Sequence, residues 1–124
     1  MYIEYQRFQN GHMFWIRSIN QVWVLYENSG RWIYLGRSQF DANPPPIVEA
    51  APAGLFAPSG KFASVWSRYP LIRDGLGWAE NEAVAKQIVF EYDVDEWTVI
   101  LRDPQGLKYS MLLDEDNPSW TRFE

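Results

Sequence analysis

Hydrophobic and polar positions alternate in short runs along this chain, and the runs fall into two groups. From Met1 to Phe8 the alternation is weak, with Tyr2, Glu4, Gln6 and Phe8 on one side and Ile3, Tyr5 and Arg7 on the other. Asn10-Gly11 follows, a dipeptide whose tolerance of positive φ suits a two-residue hairpin turn. His12 to Arg17, Val22 to Tyr26 and Arg31 to Leu35 read as three further strands, separated by Ser18 to Asn20 and Asn28 to Gly30. The spacing predicts an antiparallel meander. A looser copy returns near the end. It comprises the apolar, β-branched run Gln87 to Tyr92, a turn at Asp93 to Asp95, a strand from Glu96 to Arg102, a Pro-Gln-Gly turn within Asp103 to Gly106, and a return from Leu107 to Leu113. Glu80 to Ala85 ahead of it fits a helical turn or a loop, and past Asp114 only Trp120 and Phe123 offer an apolar anchor.

The period changes between the two groups. Phe62, Val65, Trp66 and Tyr69 fall at i, i+3, i+4 and i+7, one face of a helix that Ser59 can cap and Pro70 stops. Pro70 to Asp74 predicts a second, very short helix closed by Gly75, with Leu71, Ile72 and Leu76 packing inward. Neither is long enough to stand alone in water, so both need the strands. Ahead of them, Asp41 to Pro58 holds Pro44, Pro45, Pro46, Pro52 and Pro58. Proline removes a backbone donor and fixes φ, which favours an extended strap packed through Ile47, Val48, Leu55 and Phe56, with a mobile linker as the competing form.

The expected fold class is therefore α+β and mostly β: two antiparallel meanders flanking a short two-helix insert, with a proline-rich strap. A length of 124 residues suits one domain. It divides into 1–40 (first meander), 41–58 (strap), 59–79 (helical insert) and 80–124 (second meander and tail). Charge narrows the partners. Lys and Arg total 11 against 16 Asp and Glu, so 11 − 16 = −5, which opposes nucleic acid and anionic membranes. The absence of cysteine excludes disulfides and thiolate chemistry. No uninterrupted apolar stretch near the start resembles a signal peptide or membrane span, so the chain is expected to be either intracellular or an excised mature fragment.

Candidate chemistry is sparse. His12 is the single histidine, which rules out a multi-histidine metal site within one chain and leaves a Ser-His-Asp triad only this one candidate base, and its place beside the turn predicts instead a strand-end ring half in water. Gly75-Leu76-Gly77 lacks the lysine and the setting of a phosphate loop and reads as a helix terminus. Glu91, Asp93, Asp95, Glu96 and the Asp114 to Asp116 run lie where hairpin tips place solvated acids, although two converging carboxylates would suffice for glycoside hydrolysis. Asp114, Asp116 and Asn117 lack the ligand spacing of a calcium loop. The expectation is a protein that is not an enzyme, with no catalytic residues, metal or cofactor.

The aromatic residues, 7 each of Trp, Tyr and Phe, are the better signal. Trp15, Trp23, Trp32 and Tyr34 sit on three successive strands, with Phe14, Ile16, Val22, Val24 and Ile33 assigned to the opposite face, so both faces are apolar. Burying one Trp removes about 200 Å² from water, worth roughly 5 kcal/mol gross. Either both faces are covered, one by the strap and helices and one by the second meander, or one face binds a ligand. In the second case Trp15, Trp23, Trp32 and Tyr34 form a platform for sugar rings, with Arg17, Arg31, Glu27 or Asn28 hydrogen-bonding the hydroxyls. The same aromatics suit a protein partner or a second copy of the chain.

Leu76-Gly77-Trp78-Ala79, preceded by the aromatic helix and followed by a strand with Phe90-Glu91, resembles the Leu-Gly-Phe-Pro (LGFP) repeats of bacterial surface proteins. It is closer to their Leu-Gly-Trp-Ala relatives in secreted proteins. Phe8-Gln9-Asn10-Gly11-His12-Met13-Phe14-Trp15 is similar to the second half of that repeat, so that residues 1–35 form a strand half and 60–113 a complete unit. In that unit Tyr92-Asp93 replaces the glycine turn, a departure from the repeat. The resemblance implies an extracellular or cell-surface module of the envelope, with roles in cell-wall attachment and beside surface hydrolases, and brings no catalytic residues. The function expected is non-catalytic binding of cell-wall or other polysaccharide through aromatic side chains, with a protein-interaction or self-assembly module as the alternative.

Overall fold

The computed structural model describes residues 2–40, 47, 49–88 and 91–123, which form two antiparallel sheets and two short helices. Strands β1 (Tyr2–Phe8), β2 (Gly11–Ile16), β3 (Gln21–Tyr26) and β4 (Trp32–Leu35) pair in succession, and β5 (Val84–Gln87) adds to the open side of β1. Helices α1 (Gly60–Arg68) and α2 (Pro70–Leu76) lie between β4 and β5 in the chain. The second sheet holds β6 (Glu91–Asp93), β7 (Thr98–Arg102), β8 (Lys108–Leu112) and β9 (Trp120–Phe123) in sequential order.

β2 and β3 are apolar at nearly every position, and a strand with that composition needs cover on both faces. It receives both. Ile3, Tyr5, Phe14, Ile16, Trp23, Leu25 and Trp32 face the second sheet and meet Val99, Leu101, Tyr109, Met111 and Trp120. Phe8, Met13, Trp15, Val22, Val24 and Leu35 face the other way and meet Phe62, Val65, Trp66, Ile72 and Leu76 of the helices. The molecule is thus three-layered, with the first sheet in the middle. The sheets also touch at one edge, where Arg31 bridges Ser119, the Trp32 amide donates to the Pro118 carbonyl (2.8 Å) and the Trp120 amide donates to the Gly30 carbonyl (2.9 Å).

Several local expectations are corrected. The Asn10-Gly11 hairpin shifts by one residue: Phe8 pairs with Gly11, so Gln9-Asn10 form the turn and Gly11 opens β2 without a positive φ. The turn amides are held from outside, Gln9 by the Trp78 carbonyl and Asn10 by the Leu76 carbonyl, both at 2.9 Å. α2 runs past Gly75 to Leu76 and closes at Gly77, whose φ of 75° is the left-handed geometry glycine accepts. Gly75 lies inside the helix where the Tyr26 ring packs against it, and a Cβ there would come within 2.8 Å of that ring. Leu71 is exposed, since α2 turns only Ile72 and Leu76 inward. Ser59 precedes α1 without a side-chain capping bond.

The run expected as one strand from Gln87 to Tyr92 divides. β5 joins the first sheet and β6 starts the second, while Val89 and Phe90 lie outside the described residues. Glu96 and Trp97 belong to the turn before β7, with Trp97 at φ 52°. Trp120 and Phe123 form a ninth strand, in which Trp120 is buried and Phe123 exposed. Of the proline-rich segment, Asp41 to Pro46 and Val48 lie outside the described residues, as do Met1 and Glu124. Ile47 packs against the helix-side core, and Phe56, though exposed, bridges Ala79.

Candidate functional site

The four aromatic residues expected on one platform are divided between two faces. β2 pairs with β3 so that Phe14 opposes Trp23 and Trp15 opposes Val22, which sends Trp15 to the helix side and Trp23 to the sheet side. Trp15 is buried there, with the Lys61 ammonium 3.8 Å from its ring and its N–H donating to Asn20 Oδ1 (2.9 Å). Trp23 and Trp32 are buried in the inter-sheet core, rings 5.3 Å apart. Tyr34 shares their face but lies beyond the cover of the second sheet, 58% exposed, with its ring 6.1 Å from Trp32. Arg17 stacks over Tyr2 (5.3 Å) away from this group, and Arg31 is exposed next to the Ser119 bridge.

Trp23, Trp32 and Tyr34 therefore form an aromatic ladder from the core to the surface, and it ends in a cleft of about 460 Å³. Trp32, Ile33 and Tyr34 line one wall, and Leu112, Leu113, Asp114, Glu115 and Pro118 the other. Ile33 and Leu113 are exposed, and the Asp114 and Glu115 side chains stand in solvent. Trp32 is immobilised by donating its indole N–H to the Leu112 carbonyl (2.9 Å). β4 is an edge strand. Its Trp32 amide points outward to Pro118, so by the two-residue alternation of strand hydrogen bonding the Tyr34 N–H and C=O also point outward into the cleft side. The opposing wall was hidden from sequence reasoning because the Arg31–Ser119 bridge joins residues far apart in the chain.

Behind the ladder, the inter-sheet core contains a polar group that the sequence placed in water. His12 is buried, because the second sheet lies over it with the Tyr109 ring 5.1 Å and the Trp120 ring 5.6 Å away. A carboxylate only accepts, so the Glu27 Oε1 contact (2.8 Å) takes the Nε2 proton and Nδ1 accepts the Tyr5 hydroxyl (2.6 Å). Arg122 of β9 reaches the same Glu27 oxygen at 3.4 Å. Farther along, Tyr109 donates to Asp103 Oδ2 (2.7 Å). Burial pushes the Tyr5 hydroxyl well above the usual phenol range and Tyr109 up to about 12, with Tyr109 and Asp103 the next largest causes respectively, so both phenols remain donors.

Burial also holds the His12 pKa below its ordinary value, outweighing the pull of Glu27; Arg122 and Arg7 act in the same direction as burial. The native state therefore sheds a proton that the unfolded chain binds below about pH 6.5, so stability should be full above that pH and fall as acid is added. Urea midpoints at pH 7.5 and pH 5.0 should drop further for the wild type than for His12→Gln; parallel losses would assign the acid sensitivity elsewhere. Among the described residues, no cluster of three or more His, Cys, Asp or Glu is placed to hold a metal ion, and no helix is long and apolar enough to cross a membrane. No protein-family model, no curated protein and no solved structure matches this chain.

Proposed function

We propose that this chain is a non-catalytic binding module, akin to the LGFP-like repeats of bacterial surface and secreted proteins, that holds cell-wall or other polysaccharide in the cleft beside β4. The observation carrying the proposal is Tyr34, 58% exposed and backed by the buried Trp32, facing Asp114 and Glu115 across the cleft. A pyranose ring presents an apolar C–H face to stack on the phenol, and the carboxylates and outward backbone groups of β4 bond its hydroxyls. Sites of this kind combine an apolar wall with a few convergent polar groups. Trp15 and Arg17 have no part in it. The finer architecture belongs to the same proposal: two meanders around the helical insert, with 41–58 as a strap anchored through Ile47 and Phe56.

Tyr34→Ala should weaken binding to bacterial cell-wall polysaccharide about tenfold, equivalent to about 1.4 kcal/mol, in calorimetry or sedimentation pull-down. Arg17→Ala should leave it unchanged. Equal affinity of the Tyr34 variant and the wild type would remove the cleft from consideration.

A second reading, a protein-interaction or self-assembly module, is favoured by the exposed Ile33 and Leu113 beside an edge strand whose Tyr34 N–H and C=O have no backbone partner among the described residues. Edges of this kind recruit further strands. Sedimentation velocity at rising concentration separates the two, since strand pairing between copies produces a concentration-dependent dimer.

A further inference from the structure

The Leu76-Gly77-Trp78-Ala79 motif builds a second cleft, on the helix side of the molecule and apart from β4. Gly77 turns the chain at the end of α2, and a Cβ there would lie 2.7 Å from Gln9 Oε1. The same Gln9 oxygen accepts the Trp78 amide (3.0 Å), while the Gln9 amide donates to the Trp78 carbonyl (2.9 Å), so the β1–β2 turn clamps Trp78 from both sides. Trp78 is thereby laid against Trp66, ring centroids 4.9 Å apart, and Trp66 is itself fixed by donating its N–H to the Gly77 carbonyl (2.8 Å). The cleft is about 400 Å³, within the range of small-molecule sites, and is lined by Glu49, Trp66, Arg73, Asp74, Gly77 and Trp78.

The polar groups here are spaced for a guest. Arg73 lies over Trp66 (5.7 Å) between Glu49, 3.9 Å away, and Asp74, 3.7 Å away. Both separations exceed direct hydrogen-bond length, so neither carboxylate closes a hydrogen bond on Arg73, and its N–H groups and the two carboxylates stay open to the hydroxyls of a guest. Five of the seven indole N–H groups have partners, those of Trp15, Trp23, Trp32, Trp66 and Trp120. The half-buried Trp78 has none among the described residues. A cationic ligand meets Arg73, and an anionic one meets two carboxylates. A neutral hydroxylated ring meets neither obstacle, and finds a planar indole with alternating donors and acceptors beside it.

We infer that this cleft is a saccharide-binding site, with Trp78 as the stacking surface and Arg73, Glu49 and Asp74 bonding the hydroxyls. It shares its ligand class with the β4 proposal but none of its residues. The experiment titrates the whole chain with soluble muropeptides, chitohexaose, cellohexaose and laminarihexaose, following tryptophan fluorescence and calorimetric stoichiometry. In the Tyr34→Ala background at least one sugar should still saturate, and Trp78→Ala should weaken that binding tenfold or more. Asp74→Ala, at an exposed side chain outside the core, should weaken it severalfold without touching the fold. If no sugar saturates in the Tyr34→Ala protein, or if binding there is indifferent to both Trp78 and Asp74, the inference fails. Loss of all binding on Tyr34→Ala alone supports the β4 cleft and overturns this one; binding that ignores Tyr34 but follows Trp78 does the reverse.

Discussion

Gly11→Ala should leave the chain unfolded at room temperature, or destabilised by more than about 3 kcal/mol, when equilibrium unfolding is followed by tryptophan fluorescence in urea. Gly11 stands in the pleat where β2 passes β3, and a Cβ there would overlap the Leu25 carbonyl oxygen and come within 2.5 Å of Leu76 Cδ2. The leucine methyl can swing aside. The carbonyl cannot, because Leu25 is fully buried on β3, which is paired on both sides, with β2 and with β4. Gly106 provides the contrast. Its φ of 92° strains any side chain, but nothing lies within 4 Å of its Cβ position, so alanine there should cost only about 1 kcal/mol. A Gly11→Ala protein as stable as the wild type would mean that β2 and β3 are not in this register.

Gly11 also shows where local sequence logic stopped. Asn-Gly signals a hairpin turn, yet this glycine is needed for close approach between strands and the turn moved onto Gln9-Asn10. Strand positions themselves were legible, because alternation and turn residues are local: β2, β3, β4, β7 and β8 lie within a residue or two of their expected bounds. The helix face of Phe62, Val65 and Trp66 was legible for the same reason. What failed was set by distant contacts. The face of Trp15 relative to Trp23 depends on a register that neither strand encodes alone. β5 left its expected group to pair with β1, and His12 lost its water to a sheet formed from the far end of the chain.

The surplus of aromatic residues now has a physical account. One sheet with two apolar faces creates two cores, and five of the seven tryptophans are consumed in them: Trp23, Trp32 and Trp120 on one side, Trp15 and Trp66 on the other. Each buried N–H is paired, as burial of an indole requires. Rings left with free surface are the informative ones. Tyr34 and Trp78 each rest on a buried tryptophan and each face carboxylates across a cleft. Trp97, at the tip before β7, is exposed and lines neither cleft. Of the residues expected from sequence, Trp32 and Tyr34 line the β4 cleft; Trp78 entered only as a repeat motif.

Asp103→Ala should cost about 3 kcal/mol, because its carboxylate, 1% exposed, satisfies three donors at once. Oδ1 accepts the Gln105 amide (2.9 Å) and the Leu107 amide (3.1 Å), closing the turn between β7 and β8, while Oδ2 accepts the Tyr109 hydroxyl (2.7 Å). Water can reach the amide of exposed Gln105 once the carboxylate is gone. It cannot reach Tyr109, fully buried among Tyr5, Phe14 and Trp120, so the phenol is stranded from its carboxylate acceptor with only the neighbouring Tyr5 hydroxyl beside it. Tyr109→Phe removes the donor instead and leaves Asp103 its two amides, so its cost should be nearer 1 kcal/mol. In the double variant the stranded hydroxyl no longer exists, and the combined loss should fall short of the sum by about 1–2 kcal/mol. Urea unfolding of the four proteins measures that difference. Strict additivity would mean that the Asp103–Tyr109 bond contributes nothing to tying the β7–β8 turn to β8, and the loss in Asp103→Ala would then belong to the two turn amides alone.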